Sequence, residues 1–211
     1  MESFQIASIL ILIVSVVIHE MAHAYAANWL GDPTARLQGR LSPNPVVHLD
    51  PLMSVILPGL LVLSGSPLLF GAAKPVPYNP YNFSNQKWGE ALVAAAGPAS
   101  NIALAIIFAV IIRLDAQFDI LTETFVYLAG TAIIINIFLA LLNLLPIPPL
   151  DGSKILPRFL PLSLRLQYER FRLFFESSPF LGFGVVILLF VLFFGRPLLQ
   201  FTYFLTDLLI G

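Results

Sequence analysis

Charge is confined to short stretches of this chain, and the long segments between them are nearly free of it. Apolar runs cover residues 4–30, 52–70, 91–112, 125–145 and 180–194, the last continuing to 210. A helix of about 20 apolar residues is long enough to cross a bilayer. Only 11% of the 211 residues are charged, against 58% hydrophobic, where a soluble domain carries about 25% charge. So few charges cannot wet the surface of a globule this size. A soluble enzyme, a disordered chain and a nucleic-acid binder are therefore excluded, and no nucleic-acid partner is expected. The pattern predicts an all-α polytopic membrane protein with about four transmembrane helices, whose solvent is mostly lipid.

The placement of the charges predicts the topology. Arg36, Arg40, Lys74, Lys87, Lys154, Arg158, Arg165, Arg170 and Arg172 lie in three of the polar breaks, whereas the break at 113–123 sets one Arg against Asp115, Asp119 and Glu123. Basic loops stay on the cytoplasmic side, so the three basic breaks are expected inside and the acidic one outside. Residues 52–70 are then flanked by two inside loops and are interrupted at Pro58-Gly59 and Ser64-Gly65-Ser66-Pro67. A re-entrant hairpin fits better than a full crossing. Pro75, Pro77 and Pro80 alternate with Val76 and Tyr78 in the following stretch, which predicts a short extended edge strand. Such irregular backbone is tolerated at membrane depth only against protein or a water-filled cavity. The basic, amphipathic stretch 156–175 reads as a helix lying on the cytoplasmic interface. Gly195-Arg196-Pro197 makes the final segment either one kinked span or a span followed by a surface helix. The N-terminal run carries Glu2 and no Lys or Arg before it, the wrong sign for a secretory signal. A single domain over 1–211 is expected, with its core at 4–155 and the interfacial helix and last span at 156–211.

The chain has no cysteine, so disulfides, redox motifs and thiolate metal sites are excluded and any metal must be held by His, Asp or Glu. His19-Glu20-Met21-Ala22-His23 places two imidazoles one helical turn apart on one face, spaced to grip one ion. Catalytic zinc sites use three protein ligands and leave one position open, and Glu20 beside the first ligand is suited to act as a general base. The third ligand is to be sought among His48, Asp50 and Asp151. If 52–70 is re-entrant, Asp151 ends on the same membrane side as His19 and His23, and if 52–70 crosses it ends on the opposite side. Pro146, Pro148, Pro149 and Gly152 around Asp151 stop the preceding helix and present its carboxylate at a fixed depth. The small residues of Ala94–Asn101 suit close packing against the metal helix. Asn101 and Asn143, polar groups in apolar segments, either bind substrate or an oxyanion or form interhelical hydrogen bonds. His48 is ambiguous between metal ligand and structural loop residue.

Four elements in order, HEMAH at 19–23, AKPVPYNP at 73–80, GPASN at 97–101 and NLLPIPPLDG at 143–152, resemble the site-2 protease family of intramembrane zinc metalloproteases. The resemblance implies one Zn2+ per chain held by His19, His23 and Asp151, with Glu20 as base and Asn143 as transition-state stabiliser. It implies a single-span membrane protein substrate that pairs as a strand with Lys74, Pro75, Val76, Pro77 and Tyr78, with Asn101 in the substrate-binding set. It further implies a multi-pass protein of a prokaryotic cell membrane with its active site toward the cytoplasm. Many family members carry a PDZ-like or nucleotide-sensing domain, for which this chain is expected to have no room, and it is expected to lack an additional N-terminal helix found in some relatives. Three other readings compete. An iron lipid hydroxylase needs more histidines. A zinc transporter or metal-binding scaffold needs polar residues along successive spans. A catalytically silent relative is at odds with the complete HEMAH and LDG motifs.

Overall fold

A computed structural model describes residues 2–56, 63 and 73–211. Among these residues the chain is helical and forms no sheet. Its helices are α1 (Glu2–Trp29), α2 (Thr34–Leu37), α3 (Gly89–Phe118), α4 (Glu123–Asn143), α5 (Gly152–Ile155), α6 (Leu162–Glu176), α7 (Pro179–Leu189) and α8 (Gly195–Ile210). Four helical runs, Phe4–Trp29, Gly89–Phe118, Glu123–Asn143 and Leu181–Ile210, are long and apolar enough to cross a membrane. The last joins α7 to α8 through a π-helical turn at Phe190–Phe194, so Gly195-Arg196-Pro197 does not break it. Proline is tolerated in the first turn of α8, and the π turn, closed by the Gly195 N–H on the Phe190 carbonyl, re-phases the helix before it.

Local chemistry sets the helix ends. Asp115 accepts the N–H groups of Ile120 and Leu121 beyond the C-terminus of α3, where Asp119 adopts φ +49°. The Thr122 hydroxyl accepts the Phe125 N–H and caps α4. The α3–α4 pair packs through small residues, Ala105, Ala109 and Ala129, with Ile112, Ile133 and Ile137 filling between them. Small side chains permit the close backbone approach on which helix association in lipid depends.

Contacts orient the bundle. At one end the Phe4 ring meets Tyr127, and the Arg113 guanidinium holds the carbonyls of Leu208 and Ile210. At the other end the Leu30 carbonyl accepts the Ser84 N–H at 2.8 Å. The chain between α1 and α3 therefore leaves and returns at one end. The hairpin expected over 52–70 lies, apart from the π-helical turn Pro51–Ile56 and residue 63, outside the described residues. The edge strand expected around Pro75–Pro80 does not form among the described residues: one isolated antiparallel bridge joins Leu49 to Ala73, and residues 74–79 form no ladder. Pro75 and Pro77 remove donors that a regular ladder would use. The amphipathic stretch forms α6 after a 3₁₀ turn at Leu156–Phe159. It is fastened to the start of α3 by Glu90, which takes Arg158 and Arg172 at 2.9 Å each.

Asp32 ties α1 to the segment before α3. Fully buried, it accepts from the Thr34 hydroxyl at 2.6 Å, Asn82 Nδ2 at 2.7 Å and the Asn79 N–H at 2.7 Å. Burial works to raise its carboxyl, but the Thr34, Asn82 and Asn79 donors hold it below the usual carboxylate range. A depressed folded pKa stabilises the protein above the unfolded value near 4, and that contribution is lost as the pH falls through the folded value. We expect Asp32→Ala to cost about 2 kcal/mol or more, read as a lower unfolding temperature in detergent at pH 7. The deficit against wild type should shrink as the pH is lowered through the carboxylate range.

Candidate metal centre

His19 and His23, four residues apart on α1, point their rings to α3, where each finds one fixed partner. His23 Nδ1 lies 2.7 Å from the Val93 carbonyl and His19 Nδ1 lies 2.6 Å from Asn101 Oδ1. A carbonyl only accepts, so His23 carries its proton on Nδ1. The same follows for His19 through a chain of amides. Asn136 Nδ2 donates to the Ala132 carbonyl at 2.9 Å and to Ser15 Oγ at 2.9 Å, which leaves Asn136 Oδ1 to accept from Asn101 Nδ2 at 2.8 Å. Asn101 Oδ1 must then accept from His19 Nδ1. Both Nε2 atoms are left as bare lone pairs, 3.0 Å apart.

Asp151 completes the group. Its Oδ2 lies 3.2 Å from His19 Nε2 and 3.3 Å from His23 Nε2, and among the described residues it is buried with no hydrogen-bond donor. Three lone-pair atoms packed together at 8% exposure or less repel one another unless a cation lies between them. Tetrahedral ligands at 2.0–2.1 Å from zinc stand roughly 3.3 Å apart, so the spacing and the His/His/carboxylate donor set fit one zinc ion. The locked Nδ1–H groups are the outer partners that metal-bound imidazoles ordinarily have.

Two glycines make this convergence possible. A methyl group built at Gly97 would overlap both imidazoles, reaching 2.6 Å from His19 Cε1. At Gly152 the space a Cβ would take is filled by the backbone of Leu144 and Leu145, which lets the turn after α4 fold back and carry Asp151 inward.

A cavity of about 550 Å3 opens beside the group. Glu20, half-buried, lines it together with Pro75, Val76, Pro77, Tyr78 and Asn143. Asn143 Nδ2 donates to the Leu139 carbonyl at 2.9 Å. Lys74 lies outside the lining and is exposed. Asn101 lies behind His19, wholly buried, with its amide engaged by His19 and Asn136, so it orients the imidazole and has no face on the cavity. His48 is buried away from the group, with Nε2 at 2.8 Å from the Ser42 carbonyl. The opposite wall comes from α7 and the π turn, through Phe183, Val186, Ile187 and Phe190.

Lys154 also lines the cavity, one turn after Asp151, and lies 5.6 Å from the centre of the Tyr78 ring. Burial opposes its charge, but the coulombic pull of Tyr78, Asp151, Glu176 and Glu90 more than offsets this and raises the ammonium above its ordinary value. Sequence reasoning did not single out Lys154, Asn136 or Ser15. Of these only Asn136 carried a signal, as an amide in mid-span.

We expect Gly97→Ala to keep its helices and lose most of its zinc, and Asn101→Ala to bind zinc about 10–100-fold more weakly. Metal analysis of purified protein beside circular dichroism checks both, with Asp151→Ala as the zinc-depleted reference.

Comparison with known proteins agrees with the geometry. The profile described as Peptidase family M50 matches residues 116–181. YwhC of Bacillus subtilis, named as a zinc metalloprotease, is 37% identical over 188 residues, spanning 87% of this chain and 79% of that protein. Rip2 of Mycobacterium tuberculosis, named likewise, is 34% identical over 190 residues, spanning 84% of this chain and 70% of that protein. No solved structure matches the chain. With a relative this similar over most of both lengths, and a His19–His23–Asp151 group fit to hold one metal ion, the chain belongs to peptidase family M50, the site-2 protease family of zinc metalloproteases.

Proposed function

We propose that this metalloprotease cleaves a peptide bond within or near a transmembrane segment of a single-span membrane protein, on the cytoplasmic side of a prokaryotic cell membrane. The observation that carries this reading is a single cavity shared by the metal group, Glu20 and the extended segment at Pro75–Tyr78, set among helices long enough to span. A zinc ion held by His19, His23 and Asp151 would supply Lewis acidity toward a water molecule and toward the substrate carbonyl. Glu20 takes a proton from the attacking water on a carboxylate oxygen and returns it to the leaving amide nitrogen. Asn143 reaches the cavity from the end of α4, and a turn of its side chain away from the Leu139 carbonyl frees Nδ2 to donate to the developing oxyanion.

A transmembrane helix has its backbone bonds satisfied internally and must unwind before hydrolysis. Adding the unwound stretch to the segment at 74–78 as a strand replaces the bonds it gives up. Apolar walls from α4 and α7 exclude bulk water while this happens.

The basic residues support the orientation. Arg36, Arg40, Lys87, Arg158 and Arg172 belong to the end that carries the metal group, while Asp115, Asp119 and Glu123 belong to the other. The chain leaves α1 and enters α3 at the metal end, so the connection between them begins and finishes on that one side. Residues 1–211 then read as one intramembrane protease domain, with 156–211 closing its side.

Glu20→Gln should retain its zinc and lose cleavage of a single-span test substrate by on the order of a thousandfold. Retained cleavage would remove Glu20 from the role of base. Zinc uptake into sealed vesicles without any cleavage would instead favour a transporter.

A further inference from the structure

The backbone groups that residues 74–79 can offer to a substrate are few, and they can be accounted for one by one. Pro75 and Pro77 have no N–H. The Lys74 N–H donates to the His48 carbonyl at 2.8 Å, and the Asn79 N–H to Asp32 Oδ2 at 2.7 Å. The carbonyls of Lys74 and Pro75 both accept from Arg40 Nη2, at 3.2 and 2.8 Å, while Nη1 of the same guanidinium donates to the Val47 carbonyl. The Asn79 carbonyl accepts the Asn82 N–H at 3.0 Å. Among the described residues, Val76 and Tyr78 are left with both N–H and C=O unbonded, and Pro77 between them adds only a carbonyl. Two residues spaced by two, each offering a donor and an acceptor, are what an incoming strand requires.

Arg40 makes this pattern. It is 3% exposed and, among the described residues, makes no ion pair with a carboxylate. A buried guanidinium without a counter-ion is costly unless its N–H groups are hydrogen-bonded. The planar fork of Arg40 bridges two chain segments through their carbonyls, a task for which the single ammonium of lysine is poorly shaped. It joins the loop at Val47 to residues 74–75 and withdraws their carbonyls from any other partner.

We propose that Arg40 is a positioning residue that sets the register of substrate addition. By occupying the Lys74 and Pro75 carbonyls it confines the incoming strand to Val76 and Tyr78, and so determines which peptide bond reaches Glu20 and the metal group. Arg40 has this role only if the substrate adds to segment 74–78 as a strand, as proposed above.

The full-length wild type, Arg40→Lys and Arg40→Met are loaded with zinc in lipid nanodiscs and given one single-span substrate. Product ends are read by mass spectrometry, and zinc content is measured on each protein. The wild type should cut one dominant bond. The variants, at equal zinc content, should cut additional bonds displaced by one or two residues, with the share of the original bond falling severalfold. Cutting confined to the wild-type bond, at whatever rate, would overturn the register role, since loss of stability alone does not move a cleavage site. A second measurement needs no variant. Peptides spanning the cleaved bond, N-methylated at one residue at a time, are offered to the wild type. Two sensitive positions spaced two apart, each lowering kcat/KM by on the order of tenfold, are expected from the two free carbonyls of Val76 and Tyr78. Sensitivity at no position, or along a continuous run, overturns the proposal. A wild type that cleaves nothing would overturn the protease reading itself, and the register role with it.

Discussion

An imidazole buried between apolar helices must find an acceptor for one ring nitrogen, and His19 and His23 both find theirs on α3. Much of the bundle is arranged to satisfy that requirement. The acceptors lie close enough only because Gly97 presents no side chain to the two rings. The amide of Asn101 is held in turn by Asn136 on α4, which is anchored on a backbone carbonyl and on Ser15 of α1. Three spanning helices are thereby joined by a single chain of hydrogen bonds ending at His19 of the candidate metal group. In lipid, where apolar contact between helices gains little over contact with acyl chains, small interfaces and internal polar bonds do the joining. The fixed tautomers and the close helix packing are two consequences of the same arrangement.

The other side of the cavity answers a different problem. Irregular backbone has to be satisfied wherever water is scarce, and the two ends of residues 74–79 are held by side chains from elsewhere, while Val76 and Tyr78 between them keep unbonded backbone groups among the described residues. Arg40 takes carbonyls at one end and Asp32 takes an N–H at the other. Glu90, Arg158 and Arg172 fasten α6 beside the same cavity, and the Tyr78 hydroxyl donates to Glu90 at 3.3 Å. Asp32, Arg40, Glu90, Arg158 and Arg172 thus gather at one end of the bundle, where they hold the segments between the spanning helices in place.

Much of this was legible in the residues. The apolar runs marked the four spanning helices, and the charge pattern required the chain to return to one side between α1 and α3, as the Leu30–Ser84 contact has it. HEMAH marked two imidazoles on one helix face, and the turn formers around Asp151 marked a carboxylate held at a fixed depth. Asn101 shows where residue reading stops. An amide in an apolar helix must have a partner, but only the relative rotation of α1, α3 and α4 decides that this partner is His19 and not a substrate. Lys74 shows the same limit within the extended segment, where it is exposed and lies outside the lining of the cavity that Pro75, Val76, Pro77 and Tyr78 border. The final span is a third case, since Gly-Arg-Pro has a breaking composition that a π turn absorbs.

Sequence alone determined properties that depend on spacing along one chain: the membrane class, the four spans, the pair of histidines one turn apart, and the absence of any thiolate ligand. These follow from the helical period and the bilayer thickness, which act locally. Tertiary structure decided what depends on contacts between distant segments: the tautomers of His19 and His23, the approach of Asp151 to within 3.3 Å of both, and, among the described residues, the unbonded backbone groups of Val76 and Tyr78. The physical reason is that hydrogen bonds reach only about 3 Å. Which groups fall within that reach, across 70 or 82 residues of intervening chain, is settled by how the helices pack.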